Sequence, residues 1–348
     1  MKMNTLGRGG LRVTPFCLGT MTFGSQTDPV DAHAQIDAAL GAGLNFIDTA
    51  EMYPVNPIRS ETVGRTEEII GTWNSKNTAR RGDYVLATKV SGEGLKVVRE
   101  GVPISRQTIE AAVDGSLRRL KTDYIDLYQL HWPNRGSYHF RQNWTYDPSQ
   151  QDKTDVIAHM EEVLETCDDL IRAGKLRHIG LSNESAWGTA QWVRVAETRG
   201  LPRMVSIQNE YSLLCRLFDT DLAEASLNED VQCLSFSPLA AGLLTEKYQN
   251  GAEPAGSRKS LNGNLGGRST DRVYPAVEAY ADVAKRHGLD LVHMALAFAA
   301  SRPFMGSVIF GATSLAQLER ILAGLDLTLG EEVLAEIDAA HRAHPMPY

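Results

Sequence analysis

Short apolar runs recur along the chain, each followed by a polar junction and then by apolar positions at helical spacing. Phe16-Cys17-Leu18-Gly19-Thr20-Met21 opens the series, with a helical pattern over residues 32–43. Asn45-Phe46-Ile47 then ends in Asp48, and a Pro-containing loop leads to a helix over residues 66–73. The run 84–88 ends in Lys89 and precedes a helix with Ile109, Val113, Leu117 and Leu120 on one face. The run 124–130 ends in His131.

A polar and aromatic insertion, residues 132–155, interrupts the rhythm. The helix after it carries Ile157, Met160, Val163, Leu164, Cys167, Leu170 and Ile171, and Gly174-Lys175 stops it. The fifth run ends in Ser182-Asn183 and is followed by a helix to Gly200. The sixth, residues 204–209, contains Gln208 and precedes a helix over 219–228. The seventh, residues 233–238, ends in Ser237-Pro238. A second excursion, residues 239–272, is rich in Gly, Ser and Asn, a composition that predicts mobility. Helices over 274–287 and 291–301 lead to the eighth run, 306–311. Leu315, Leu318, Ile321, Leu322 and Leu325 mark another helix, and 331–342 a closing one outside the repeat.

Eight strand–helix couplets, each with a crossover long enough for parallel pairing, predict a closed parallel barrel. The fold class is therefore α/β, a (β/α)8 TIM barrel with extra helices and long loops at its C-terminal rim. No linker-like segment divides the chain, which predicts one domain over residues 1–348.

In such a barrel the strand ends share one rim, where catalytic groups sit. Here that rim collects Asp48, Lys89, His131, Ser182, Asn183, Gln208, Ser237 and Gly311-Ala312-Thr313. An aspartate ending an apolar strand needs a partner, and Lys89 ends the next one. Tyr53 follows Asp48 by five residues. A phenol titrates near pH ~10 and donates its proton readily only beside a cation that stabilises the phenolate. Lys89 supplies that cation, Asp48 keeps it charged, and His131 positions a carbonyl oxygen or relays a proton. The set fits carbonyl reduction by hydride, for which a cofactor is required. The competing reading, a structural Asp48–Lys89 ion pair, leaves Tyr53 and His131 without a role.

No G-x-G-x-x-G follows a strand, so a Rossmann-type site is unsupported. Barrels hold phosphate instead near the loops after strands seven and eight. Residues 237–244 and Gly311-Ala312-Thr313-Ser314 occupy those places. Ser314 and Gln317 also have capping-box spacing, and both roles are compatible.

The bulk numbers narrow the surroundings. A net charge of −8 argues against nucleic acid as partner. Cys17, Cys167, Cys215 and Cys233 lack metal or redox spacing and fit reduced buried thiols. His341 and His344 have no third ligand in sight, so no metal is expected. No run is long enough to span a bilayer, and the first residues lack a signal peptide's apolar core. A cytoplasmic location, without membrane partners, is the expectation. Trp132, Tyr138, Phe140, Trp144 and Tyr146 crowd the first insertion, where a substrate mouth and loop packing are equally good accounts. Nothing in the pattern selects between a monomer and a homo-oligomer.

At these residues the sequence resembles the aldo-keto reductases, across nearly the whole chain. The marks are Leu18-Gly19-Thr20-Met21-Thr22-Phe23-Gly24, Phe46-Ile47-Asp48-Thr49-Ala50 with Tyr53, Thr88-Lys89, Leu127-Tyr128-Gln129-Leu130-His131, Ile179-Gly180-Leu181-Ser182-Asn183 and Gly311-Ala312-Thr313. Ala50-Glu51-Met52-Tyr53-Pro54 and the insertion after it look most like the bacterial Tas-like branch. The resemblance implies a TIM barrel that uses NADP(H) to reduce a small carbonyl substrate, with Tyr53 as general acid assisted by Asp48, Lys89 and His131. It implies Ser182, Asn183 and Gln208 around the nicotinamide carboxamide, and Tyr211 stacked on its ring. Ser237, Pro238, Leu239, Ala240, Gly242 and Leu244 would follow the pyrophosphate. Gly311, Thr313, Ser314 and Gln317 would hold the adenosine end. Many relatives carry a basic residue in the segment matching Ala312-Thr313-Ser314 and Asn where Ile321 stands. Neither is present here, so Arg320 or Arg258 is the expected source of charge for a 2′-phosphate. A second reading is a cofactor-sensing subunit resembling the potassium-channel β-subunits. A third, a hydrolase with Asp48 and Glu51 as paired carboxylates, is disfavoured because Lys89 would neutralise one of them.

Overall fold

A computed structural model describes residues 2–348. Two short strands, β1 (Asn4–Leu6) and β2 (Leu11–Val13), pair antiparallel as a hairpin. Eight parallel strands then close into a barrel: β3 (Phe16–Gly19), β4 (Phe46–Asp48), β5 (Val85–Val90), β6 (Ile125–Leu130), β7 (Leu176–Ser182), β8 (Met204–Glu210), β9 (Gln232–Phe236) and β10 (Met305–Phe310). Neighbours in sequence are neighbours in space, and β10 closes the ring against β3. The (β/α)8 TIM barrel predicted from the repeat is the fold observed. The hairpin is an addition to it.

Alternation along the strands divides the barrel interior into two layers. Leu6, Leu11 and Val13 of the hairpin cluster with Cys17, Phe46, Val85, Ala87, Leu127, Val205, Leu234 and Ile309 to form an apolar plug. The next inward positions are polar: Asp48 follows Phe46, Lys89 follows Ala87, and Gln129 follows Leu127. A much larger apolar layer lies between strands and helices and includes Ile47, Leu86, Tyr128, Met160 and Ile179.

One irregularity determines which residues reach the polar layer. β7 and β8 pair Ile179 with Met204 but Leu181 with Ile207, so β8 carries an extra residue. Val205 faces the plug while Gln208, three positions on, also faces inward. Without the bulge, side-chain alternation would turn Gln208 outward. Gly180 sits opposite: a Cβ there would lie 2.6 Å from Ser206 Oγ.

The helices match the predicted ones within a few residues, from Pro29–Gly41 to Glu331–Ala343. Ser105 and Thr108 form a capping box, and Asp28, Asp152, Ser185 and Ser314 cap other helices. The first insertion consists of turns, and the second holds short helical turns including Arg258–Leu261. The mobility expected of the second insertion meets several tethers. Gln26 Nε2 donates to Gly256 O at 3.0 Å, and Ser269 and Lys259 hydrogen-bond Tyr274 Oη at 2.8 and 3.2 Å.

Glu210, at the end of β8, gathers both insertions. Arg141 from the first and Arg268 from the second reach its carboxylate at 2.9 and 2.7 Å. Tyr348 adds its hydroxyl at 3.1 Å.

Candidate active site

Asp48 closes β4 with 2% of its surface exposed, and Lys89, next door on β5, has none. Lys89 Nζ donates to Asp48 Oδ2 at 2.6 Å and to Thr49 O at 2.8 Å. Burial pushes the Lys89 pKa down, but Asp48 and Tyr53 outweigh it, and the net shift is upward. The ammonium is therefore charged. An ammonium has three protons; two are taken, and Tyr53 lies within reach of the third, its ring centroid 5.1 Å from Nζ.

Tyr53 is held by the loop that leaves β4. Glu51 N donates to Lys89 O at 3.3 Å and Tyr53 N to Ala50 O at 3.1 Å. The Glu51 carboxylate accepts from Ser91 N at 2.6 Å and from both terminal nitrogens of Arg99 at 2.5 and 2.7 Å. Asp48 and Glu51 each have a cation of their own, so they form no acid–base pair. That removes the hydrolase arrangement.

His131 follows β6, and its ring meets that of Tyr53 in a T-shaped arrangement, centroids 6.0 Å apart. Burial, with the Lys89 charge, drives its pKa well below the usual value, so the ring is neutral at neutral pH. Its Nδ1 is buried without a partner among the described residues. Burial also governs Tyr53: it raises the phenol pKa, and Lys89 lowers it only in part. The phenol therefore keeps its proton, with the Lys89 cation beside it.

Around this group stand the other predicted residues. Ser182 Oγ donates to Gln208 O at 2.8 Å, and Asn183 Nδ2 donates to His131 O at 2.9 Å. Asn183 Oδ1 is buried and unpartnered among the described residues. Gln208 Nε2 donates to Asp48 Oδ1 at 2.9 Å and to Gln129 Oε1 at 3.0 Å. Gln129, which the sequence reading left out of the site, also donates to Asp48 Oδ1 at 3.0 Å.

Tyr211 requires correction. It has no exposed surface, stacks on Phe298 with centroids 6.2 Å apart, meets Phe304 edge-on at 5.4 Å, and donates to Asp219 at 2.7 Å. No ring face is left for a ligand. The aromatic beside Ser237 at the rim is Phe236, which is partly exposed.

Beyond β9 the backbone takes left-handed φ at Ser237 (54°), Ala240 (46°), Ala241 (58°) and Gly242 (93°). Pro238, Ala240 and Leu244 are buried, while Ser237, Leu239 and Gly242 are partly exposed. The close approach at Gly242 is made by Lys247, whose Cε would lie 2.8 Å from a Cβ there. At β10, Gly311 is exposed and Ser314 caps the next helix. Gln317 Oε1 accepts from both Thr313 N and Thr313 Oγ1 at 3.1 Å. Arg320 is committed to Asp290 at 2.8 Å. Arg258 is not committed: among the described residues its one side-chain hydrogen bond is to the Met21 sulfur at 3.6 Å, and no carboxylate is among the charges acting on it. Burial, then Arg268, pulls its pKa down to about 10. It is still a cation, and it acts on Tyr53.

The insertion aromatics divide. Trp132 packs on His131 at 4.9 Å and Phe140 on Trp132 at 6.3 Å, a line leading outward from the site. Tyr138 and Tyr146 pack on each other at 6.1 Å, and Trp144 lies against Arg272.

The aldo/keto reductase family profile matches residues 15–342. Protein tas of Escherichia coli is 44% identical over 353 aligned positions, covering 100% of this chain and 99% of the relative. The uncharacterized oxidoreductase YrpG of Bacillus subtilis is 32% identical, covering 96% of this chain and 94% of the relative. A probable voltage-gated potassium channel subunit beta of Oryza sativa is also 32% identical, covering 99% and 98%.

Proposed function

The chain belongs to the aldo/keto reductase family and is an oxidoreductase; from that premise we propose that it reduces aldehydes or ketones to alcohols with NADPH, with Tyr53 as proton donor. The observation that carries the reading is the Lys89 proton count. Asp48 and Thr49 fix two protons, and the third is available to Tyr53.

Tyr53 delivers its proton to the carbonyl oxygen as that oxygen gains charge. The phenolate left behind stands beside a permanent cation that Asp48 keeps charged and oriented. Neutral His131 donates an N–H to the carbonyl oxygen and holds it toward Tyr53. Trp132 and Phe140 supply apolar surface for the rest of a small carbonyl substrate and keep water away.

The residues present fit a nicotinamide cofactor. A carboxamide NH2 needs acceptors: Asn183 Oδ1 is an orphaned one, and Gln208 Oε1 is left over once its amide protons are spent. Ser182 frames the same place. When bound, the reduced nicotinamide supplies the hydride, which no side chain can. Phe236 offers its ring in the role first expected of Tyr211. Residues 237–244 would follow the pyrophosphate, and Thr313, Ser314 and Gln317 the adenosine end. A half-buried guanidinium without a carboxylate is costly. Arg258 is explained by an anionic ligand, such as a dinucleotide phosphate, that neutralises it.

The β-subunit relative supports a second reading, a cofactor-sensing protein with slow turnover. The deciding experiment follows the loss of reduced-nicotinamide absorbance with an activated aromatic aldehyde, using NADPH and NADH in parallel. Turnover with NADPH supports the reductase reading, and faster turnover than with NADH supports a charged 2′-phosphate site. Binding without turnover favours the sensing reading, and no binding of either cofactor removes both.

A further inference from the structure

Inside the barrel, two glutamines and one carboxylate form a closed triangle. Gln129 Nε2 donates to Asp48 Oδ1 at 3.0 Å, Gln208 Nε2 donates to the same oxygen at 2.9 Å, and Gln208 Nε2 also donates to Gln129 Oε1 at 3.0 Å. Gln129 has no exposed surface, and Gln208 has 3%. Each comes from a different strand, Gln129 from β6 and Gln208 from the bulged β8, so the triangle exists only in the closed barrel.

The chemistry of the three groups leaves one arrangement. A carboxylate only accepts, so both amides must turn their NH2 groups toward Asp48. Gln208 then uses its second proton on Gln129 Oε1. Flipping either amide would set two oxygens against each other in a buried site. Two consequences follow. Asp48 Oδ1 is held by two donors, which aims Oδ2 at Lys89. The carbonyl oxygen of Gln208 is locked as the unspent acceptor of its amide.

We propose that Gln129 is a positioning residue: it couples the Asp48–Lys89 pair, which serves Tyr53, to the Gln208 oxygen that receives the cofactor carboxamide. The inference rests on the reductase reading and assigns Gln129 a role beyond filling the barrel. Removing its amide takes one of two donors from Asp48 Oδ1 and the acceptor from the second Gln208 proton, so Gln208 is held by Asp48 alone and its oxygen is aimed less firmly at the cofactor carboxamide.

The test uses Gln129→Leu, close in size but without donor or acceptor, and Gln129→Glu. The probes are NADPH and its 3-acetylpyridine analogue, whose acetyl group accepts hydrogen bonds but has no N–H. Dissociation constants for both, from quenching of protein fluorescence, are read beside turnover of an aromatic aldehyde and thermal stability. Wild-type protein should bind NADPH more tightly than the analogue. Gln129→Leu should lower turnover about tenfold or more and narrow the gap between the two dissociation constants, because the Gln208 oxygen that reads the amide has lost one of its two supports. In Gln129→Glu the new carboxyl lies against Asp48 and cannot ionise freely beside it. That variant should work at low pH, where the carboxyl is protonated, and lose turnover as pH rises through an ionisation absent from wild type.

Gln129→Leu with undiminished preference for NADPH would overturn the proposal, whether or not its stability falls, since a merely structural glutamine would move stability alone. A pH profile of Gln129→Glu identical to wild type would overturn it as well. Failure of the reductase reading would look different. Wild-type protein itself would then show no NADPH binding or no preference between the two cofactors.

Discussion

Lys89 and Asp48 form an ion pair sealed inside the barrel, 2.6 Å apart and with 0% and 3% of their side chains exposed. Such a pair need not add net stability, because both ions have left water. Breaking it is another matter. Lys89→Met should destabilise the fold by about 3–5 kcal/mol, because Asp48 is left charged and buried. The double variant Lys89→Met, Asp48→Leu should recover part of that loss. Urea denaturation of the single and double variants checks this, and simple additivity would count against a sealed pair.

His131 predicts how stability depends on pH. Burial, with Lys89, holds its folded pKa well below 6.5, while the unfolded ring titrates near the ordinary value. Below that value the unfolded chain binds a proton that the folded chain refuses. This contribution is complete above pH ~6.5 and shrinks by up to about 1.4 kcal/mol for each pH unit below it. His139, His159 and His178 are depressed mainly by burial too and add to the slope. Denaturation curves from pH 7 down to pH 5 should show stability falling, and His131→Asn should make the slope shallower. An unchanged slope in that variant would show that His131 does not resist protonation.

Glu210 should behave as a shared anchor. Burial raises its pKa, but Arg268 and Arg141 more than reverse this, leaving it below the usual carboxylate value. Its contribution is therefore present above the unfolded carboxylate pKa and is lost as pH falls through the folded one. Glu210→Gln strands the buried Arg268 guanidinium and the partly exposed one of Arg141, and should cost about 3 kcal/mol. Limited proteolysis should then cut both insertions, 132–155 and 239–272, at similar rates. Cleavage of one alone would argue against a common anchor.

Arg258 should trade stability for affinity. In Arg258→Met an uncompensated cation is gone, so the cofactor-free protein should be at least as stable as wild type. Its NADPH dissociation constant should rise about tenfold, or about 1.4 kcal/mol, with a weaker dependence on salt. Unchanged affinity would mean that the guanidinium meets no phosphate.

Much of this was legible in the sequence, for a physical reason. Asp48, Lys89 and His131 each terminate an apolar run, so the barrel rule alone brings them to one rim. Gln129 has no such signal. It lies within a strand, and its partners are set by the ring order of β4, β6 and β8. Gln208 reaches them only because β8 is bulged, which no alternation pattern announces. Tyr211 misleads for a related reason. It follows β8 and reads as a rim aromatic, yet its ring packs outward against Phe298 and Phe304. The hairpin β1–β2 is too short to show periodicity, and its plug residues acquire meaning only beneath the closed barrel. Contacts of Glu210 with Arg141, Arg268 and Tyr348 span 58 to 138 residues and follow from the closed fold rather than from any local motif.

The central claim is that Tyr53 gives the proton, and Tyr53→Phe tests it most directly because only one oxygen is removed. NADPH affinity and thermal stability are measured beside turnover of an aromatic aldehyde. The account predicts unchanged affinity, little change in stability, and turnover lower by about 100-fold or more. Turnover close to that of wild type, with NADPH still bound, would contradict it and leave the Asp48–Lys89–His131 group as a structural feature of the barrel.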